Sequence, residues 1–232
     1  MSDSIFSFFA VLLFVLVHLF AGKTRNLGAS LHSKFLSFCG GVAIAYVFID
    51  FLPKLSESDL LIKQAGFFPF VEKHAYITAL AGFLLFFSVD KASNIVSERR
   101  YFWLSLCSYA LFNFLVGYDV ADKDNPDVRP LALFCFAMAL HYFTNDYSLS
   151  ENHGKEYTKT GRWILIVSLL IGWCVGIWAE LSQTAVALVS AFIGGGVIMN
   201  VTRHELPKDN PNSLSAFIYS AVLYTVVLLL IG

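Results

Sequence analysis

Charge is scarce in this chain. Only 14% of its 232 residues are charged and 57% are hydrophobic, against roughly 25% and 45–50% in a soluble domain. With a mean hydropathy of +0.66, the chain cannot cover its apolar residues with a wetted surface, which excludes a soluble globular domain. The net charge of -1 and the absence of a glycine-rich phosphate loop argue against nucleotide and nucleic-acid partners. Cysteine is scarce too. Cys39, Cys107, Cys135 and Cys174 all lie in apolar runs without paired metal spacing, so they are expected to pack rather than ligate. An intramembrane metal hydrolase would need three strong ligands. His18, His32, His74 and His153 fall near the ends of apolar runs or between them, where solvation is the expectation. Ser2-Asp3-Ser4 brings no lysine or arginine before the first run, and no small-residue cleavage site follows it. A retained span is expected rather than a signal peptide.

What is present is apolar and long. Eight runs, roughly 5–21, 35–52, 74–90, 101–118, 130–147, 163–179, 182–203 and 213–231, are each close to the length that crosses a bilayer. Lipid offers backbone groups no partners, so the runs are expected to be helices. The expected fold is therefore all-α: a polytopic membrane protein of eight transmembrane helices in one domain, with the lipid bilayer as its first partner. Eleven of the 16 lysines and arginines lie in the first, third, fifth and seventh connections, around Lys23, Arg99, Lys155 and Arg203. By the positive-inside rule those connections are cytoplasmic, and both termini are expected on the non-cytoplasmic side.

Two stretches repeat. Residues 38–54 and 192–208 overlay at an offset of 154 with eight of 17 positions identical: Phe38, Gly40, Gly41, Ile44, Val47, Leu52, Pro53 and Lys54. Each opens on adjacent glycines, which let membrane helices approach closely. Each ends in Leu-Pro-Lys, where the helix is expected to close at the water boundary. Five crossings separate the copies, so they are expected to run in opposite senses. The expected layout is an inverted repeat, 1–91 and 161–232, enclosing a central helix pair at 99–148. Inverted repeats are the usual ancestry of secondary transporters, with the substrate site near the midplane. Asp50 then lies at the outer mouth, and His204 with Glu205 at the inner one.

The central pair carries polar groups that lipid would not tolerate. The fourth run holds Asn113 and, at its outer end, Tyr118 and Asp119; the fifth holds His141, Asn145 and Asp146. Residues four apart share a helix face, so His141 and Asn145 point together and Asp146 lies about 100° round. An imidazole with a carboxamide or carboxylate one turn on is the start of a divalent-cation site. The same residues also serve as interhelical hydrogen-bond glue. Asn200 and Thr202 are expected to pack and to bond the backbone.

Eight runs, both ends outside, glycine-rich second and seventh runs ending in Leu-Pro, and a third run reading Gly82-Phe83 through Asp90 together resemble the zinc/iron permease (ZIP) family of metal transporters over nearly the whole chain. In that family the fourth span carries a His-Asn-x-Pro-Glu-Gly-like motif, the fifth a His-x-x-Pro-x-Glu or His-x-x-Pro-Glu-Gly-like one, and the two form a metal site. Here the fourth-span motif falls on Phe112 to Gly117, keeping Asn113 and Gly117, with Phe112 for the histidine and Val116 for the glutamate. The fifth falls on His141 to Asp146, keeping the histidine, with Thr144 for the proline and Asn145 at the following acidic position, Asp146 beside it. The resemblance implies a divergent member with metal ligands Asn113, His141, Asn145 and Asp146. No cofactor is bound permanently; a divalent cation is the expected substrate. Glu180 is a further acidic candidate. Family members are often dimeric, which makes a homodimer or another membrane protein the expected partner.

Two functions follow. One is a carrier of zinc, iron or manganese, with Asp50, Tyr118 and Asp119 gathering the ion outside and His204 and Glu205 passing it inward. The other is a transport-inactive scaffold that binds or regulates other membrane proteins. Neither is an enzyme.

Overall fold

The structure is a computed structural model that describes residues 2–22, 29–66, 72–121, 128–179, 182–206 and 211–231. Those residues are almost wholly helical and include no strand. The α-helices are α1 (Ser2–Phe20), α2 (Ala29–Tyr46), α3 (Leu52–Gln64), α4 (His74–Ala92), α5 (Glu98–Ala121), α6 (Val128–Glu156), α7 (Arg162–Trp178), α8 (Gln183–Asn200) and α9 (Pro211–Ile231). Single π-helical turns follow α2 (Val47–Phe51), α6 (Tyr157–Gly161) and α8 (Val201–Glu205). Six helical stretches are long and apolar enough to cross a membrane, and Ile5–Phe20 is a shorter apolar helix. Their outer faces present large apolar side chains such as Phe9, Leu80, Trp178 and Leu230, as an integral membrane protein requires.

Two boundaries differ from the sequence expectation. Pro53 does not close its helix: it sits in the first turn of α3, and the helical stretch continues to Gln64. Proline lacks an N–H, but the first turn of a helix has no use for one, and the preceding π turn supplies that fresh start. In the second stretch the helix does end, because Leu206 before Pro207 is extended at ψ 138. The runs expected at 130–147 and 163–179 are joined in one hydrogen-bonded stretch, Leu131–Trp178. The chain nevertheless turns back there, at His153, whose φ of -137 and ψ of 42 are not helical, and through the π turn. Beyond the bend α7 runs beside α5 in the same sense, with Gly161 beside Phe102, Gly172 against Phe114 and Gly176 against Tyr118.

The helices sort into two groups. In one, α5 lies along α7, and α1 along α6; in the other, α2 lies along α9, and α4 along α8. Contacts of α2 with α6 and of α5 with α8 join them. Glycine sets the closest approaches within the second group. A Cβ on Gly41 would overlap the Phe217 carbonyl and Ser220 of α9, and one on Gly195 would overlap the Ala79 carbonyl of α4. Neither position can carry a larger residue without separating its helix pair.

Candidate functional site

The polar centre is built on α1, α5 and α6. Phe14 and His18, one turn apart on α1, both rest on the Tyr142 ring of α6, with centroids 5.0 Å away in each case. That packing seats His18 between two acceptors. Its Nδ1 lies 2.6 Å from Asp146 Oδ2 and its Nε2 lies 2.7 Å from Asn113 Oδ1. The carboxamide cannot be turned over, because Asn113 Nδ2 donates to the Tyr109 carbonyl at 2.8 Å, and a carbonyl only accepts. Asn113 must therefore offer its oxygen to His18.

This geometry fixes the proton count. One proton lies between His18 and Asn113, and a second lies on the short contact between His18 and Asp146. The cluster is then neutral in sum, either as imidazolium with carboxylate or as imidazole with carboxylic acid. His18 and Asp146 are each 1% exposed and Asn113 2%. An uncompensated charge at that depth would be costly, so the shared proton is what makes the burial tolerable. Tyr157, at the bend after α6, donates its hydroxyl to the His18 carbonyl at 3.3 Å and ties the end of α1 down.

His18 is the residue that sequence reasoning misplaced. It was expected to be solvated near a span end, but the last turn of α1 is enclosed by α5 and α6. Its partners lie 95 and 128 positions away. The available signal was that His18 precedes the first basic residue, Lys23, by more than a turn and so lies within the apolar run. His74 and His153, also expected to be solvated, are buried; His153 packs its ring 5.1 Å from Phe102. The side chain of His32 lies outside the described residues.

Of the four expected metal ligands, the structure brings Asn113 and Asp146 together through His18. His141 is fully buried with its ring 5.6 Å from that of Phe112, so Phe112 fills the space beside it. Asn145 is buried on the same helix, and its Nδ2 has no hydrogen-bond partner among the described residues. Val116 is likewise core packing. No three of His, Cys, Asp and Glu gather in metal-holding geometry among the described residues.

The expected mouth residues divide. Asp119 accepts from Ser190 at 2.6 Å, a bond that spans the two helix groups. Both line a cavity of about 210 Å³ with Tyr46, Lys54, Met138 and Gly194. Asp50 is one helical turn before Lys54 and pairs with it at 2.9 Å. Tyr118 turns toward α7 instead, its hydroxyl donating to the Ala179 carbonyl at 3.4 Å. His204 and Glu205 sit on the π turn after α8, but their side chains, like Glu180, lie outside the described residues. Thr202 bonds the Ile198 carbonyl at 2.8 Å, as a backbone-capping threonine does. Two cysteines, Cys39 and Cys135, are buried, whereas Cys107 and Cys174 face outward from apolar helices.

Compared with family models and with curated proteins, the chain matches none.

Proposed function

We propose that the protein is a ZIP-like secondary carrier that moves a divalent metal cation, zinc, iron or manganese, between its two helix groups. The observation that carries this reading is the buried His18–Asp146–Asn113 chain. Ionisable residues inside membrane helices are costly and mark ion or proton pathways. Asp119 and Lys54 line a cavity between the helix groups whose wall includes Met138 of α6, the helix that carries Asp146. His18 Nδ1 and Asp146 offer a nitrogen and an oxygen donor, and a cation would take them in exchange for the one proton they share, the other staying on His18 Nε2 beside Asn113.

Eight crossings with both termini on the non-cytoplasmic side, arranged as an inverted repeat, belong to the same proposal. The offset of 154 in the sequence supports it: α2 and α8 begin, end and pass into π turns at positions related by that offset. Gly41 approaches the Phe217 carbonyl and Ala221 nitrogen, while Gly195 approaches the Ala79 carbonyl and Phe83 nitrogen. Each glycine-led helix thus docks on the closing helix of the other half. The Asp119–Ser190 bond crosses the surface along which the groups would rock.

A second reading, a scaffold that has lost transport, is favoured by the lack of a three-ligand cluster among the described residues and by the packing of Phe112 and Val116. Reconstitution in liposomes separates the two. Zinc, iron or manganese uptake that falls at least tenfold in Asp146→Asn and in His141→Ala supports the carrier; folded wild-type protein that takes up none of them supports the scaffold.

A further inference from the structure

We infer that an anionic phospholipid binds at the elbow between α4 and α5, its phosphate held by Arg99 and Arg100 and one acyl chain laid along the outer face of α5. A groove of about 500 Å³ there is lined by Arg99, Arg100, Trp103, Leu104 and Cys107. These positions recur at helical spacing, so the two arginines stand at the water end of a stripe that continues apolar toward the membrane interior. Trp103 and Leu104 are each 42% exposed, and Cys107 is exposed as well. Tryptophan at headgroup depth is the usual membrane-interface anchor.

Charge decides which lipid. The groove adjoins a cavity of about 790 Å³ that shares Arg99 and Trp103 and adds Lys155, Lys159, Glu98 and Glu156. Four cations thus face two carboxylates, and Glu98 extends 86% into solvent, 4.0 Å from His153. An arginine fork matches phosphate oxygens in geometry as well as charge. A choline headgroup would bring a cation against that pair, whereas a glycerol headgroup leaves the phosphate charge unopposed. A soluble phosphate would satisfy the arginines but leave Trp103, Leu104 and Cys107 uncovered. The occupant that covers both ends is a phospholipid of the leaflet richer in basic connections. This site stands apart from the transport reading and requires only that α5 lies in a bilayer.

Native mass spectrometry of the full-length protein in mild detergent tests it, with dioleoyl phosphatidylglycerol and dioleoyl phosphatidylcholine as probes. Wild type should retain phosphatidylglycerol at least tenfold better. An arginine near an anionic lipid surface is worth roughly fivefold, so Arg99→Gln with Arg100→Gln should bring the ratio close to one. Equal retention of the two lipids by wild type would overturn the inference without any variant. So would an undiminished preference in the folded double variant, or displacement of phosphatidylglycerol by soluble glycerol phosphate at equal concentration.

Discussion

His18 on α1 and Asp146 on α6, 128 residues apart, meet at 2.6 Å in a part of the protein from which both are shielded almost completely. The pair is compensated in place, so removing either partner strands the other. Asp146→Ala and His18→Ala should each lower stability by about 3–5 kcal/mol, the usual cost of breaking a buried pair. The double variant His18→Ala with Asp146→Ala should cost less than the sum of the single changes, because no charged orphan remains and only the neutral Asn113 oxygen loses its partner. Denaturant titration in micelles measures all three.

Asn113 has a narrower task. Asn113→Leu removes the acceptor for His18 Nε2 and the donor to the Tyr109 carbonyl, each engaged at under 3 Å. A loss of about 1–3 kcal/mol is expected from the unsatisfied groups. If the protein is the carrier proposed, Asn113→Asp should lower cation uptake into proteoliposomes more than it lowers stability, because it adds a second carboxylate beside His18.

Close backbone approach makes two glycines irreplaceable in the same way. Gly41→Ala and Gly195→Ala should each destabilise by about 1–3 kcal/mol, the range for overpacking, because the obstacle is a backbone carbonyl rather than a movable side chain. Similar losses from two positions so far apart would reflect their matched docking on α9 and α4. A loss at one position alone would argue against that match.

Before α4, Lys73 takes a left-handed backbone at φ 69, ψ 44. Side chains other than glycine lose roughly 1–2 kcal/mol in that region, and Lys73 makes no capping bond from its side chain. Lys73→Gly is therefore expected to raise the melting temperature slightly, as thermal unfolding in micelles would show.

Much of the helix layout was legible because a bilayer imposes a length, and runs such as 74–90 and 213–231 announce themselves by composition. The bend between α6 and α7 was placed correctly by its loss of apolar character, but not its form: Tyr157–Gly161 keeps helical hydrogen bonding through the reversal. Pro53 was read as a stop because proline breaks a continuing helix; a preceding π turn removes the conflict, and composition does not reveal a π turn. Asn113 and Asp146 stand out in the sequence because lipid would reject such polar groups within an apolar run. His18 met the same criterion, yet depth along one run says nothing about which neighbours enclose its end. That depends on how α1 lies against α6, a relation carried by packing at Phe14 and Tyr142 rather than by any local pattern.

Locking the two helix groups together addresses the carrier account most directly. With Cys107 and Cys174 changed to serine, Asp119→Cys and Ser190→Cys would allow a disulfide in place of the present 2.6 Å hydrogen bond. Proteoliposomes holding the reduced pair should take up a divalent cation, oxidation should stop uptake, and reduction should restore it. Uptake that continues unchanged with the disulfide formed, or no uptake by reduced or wild-type protein, would contradict the carrier account.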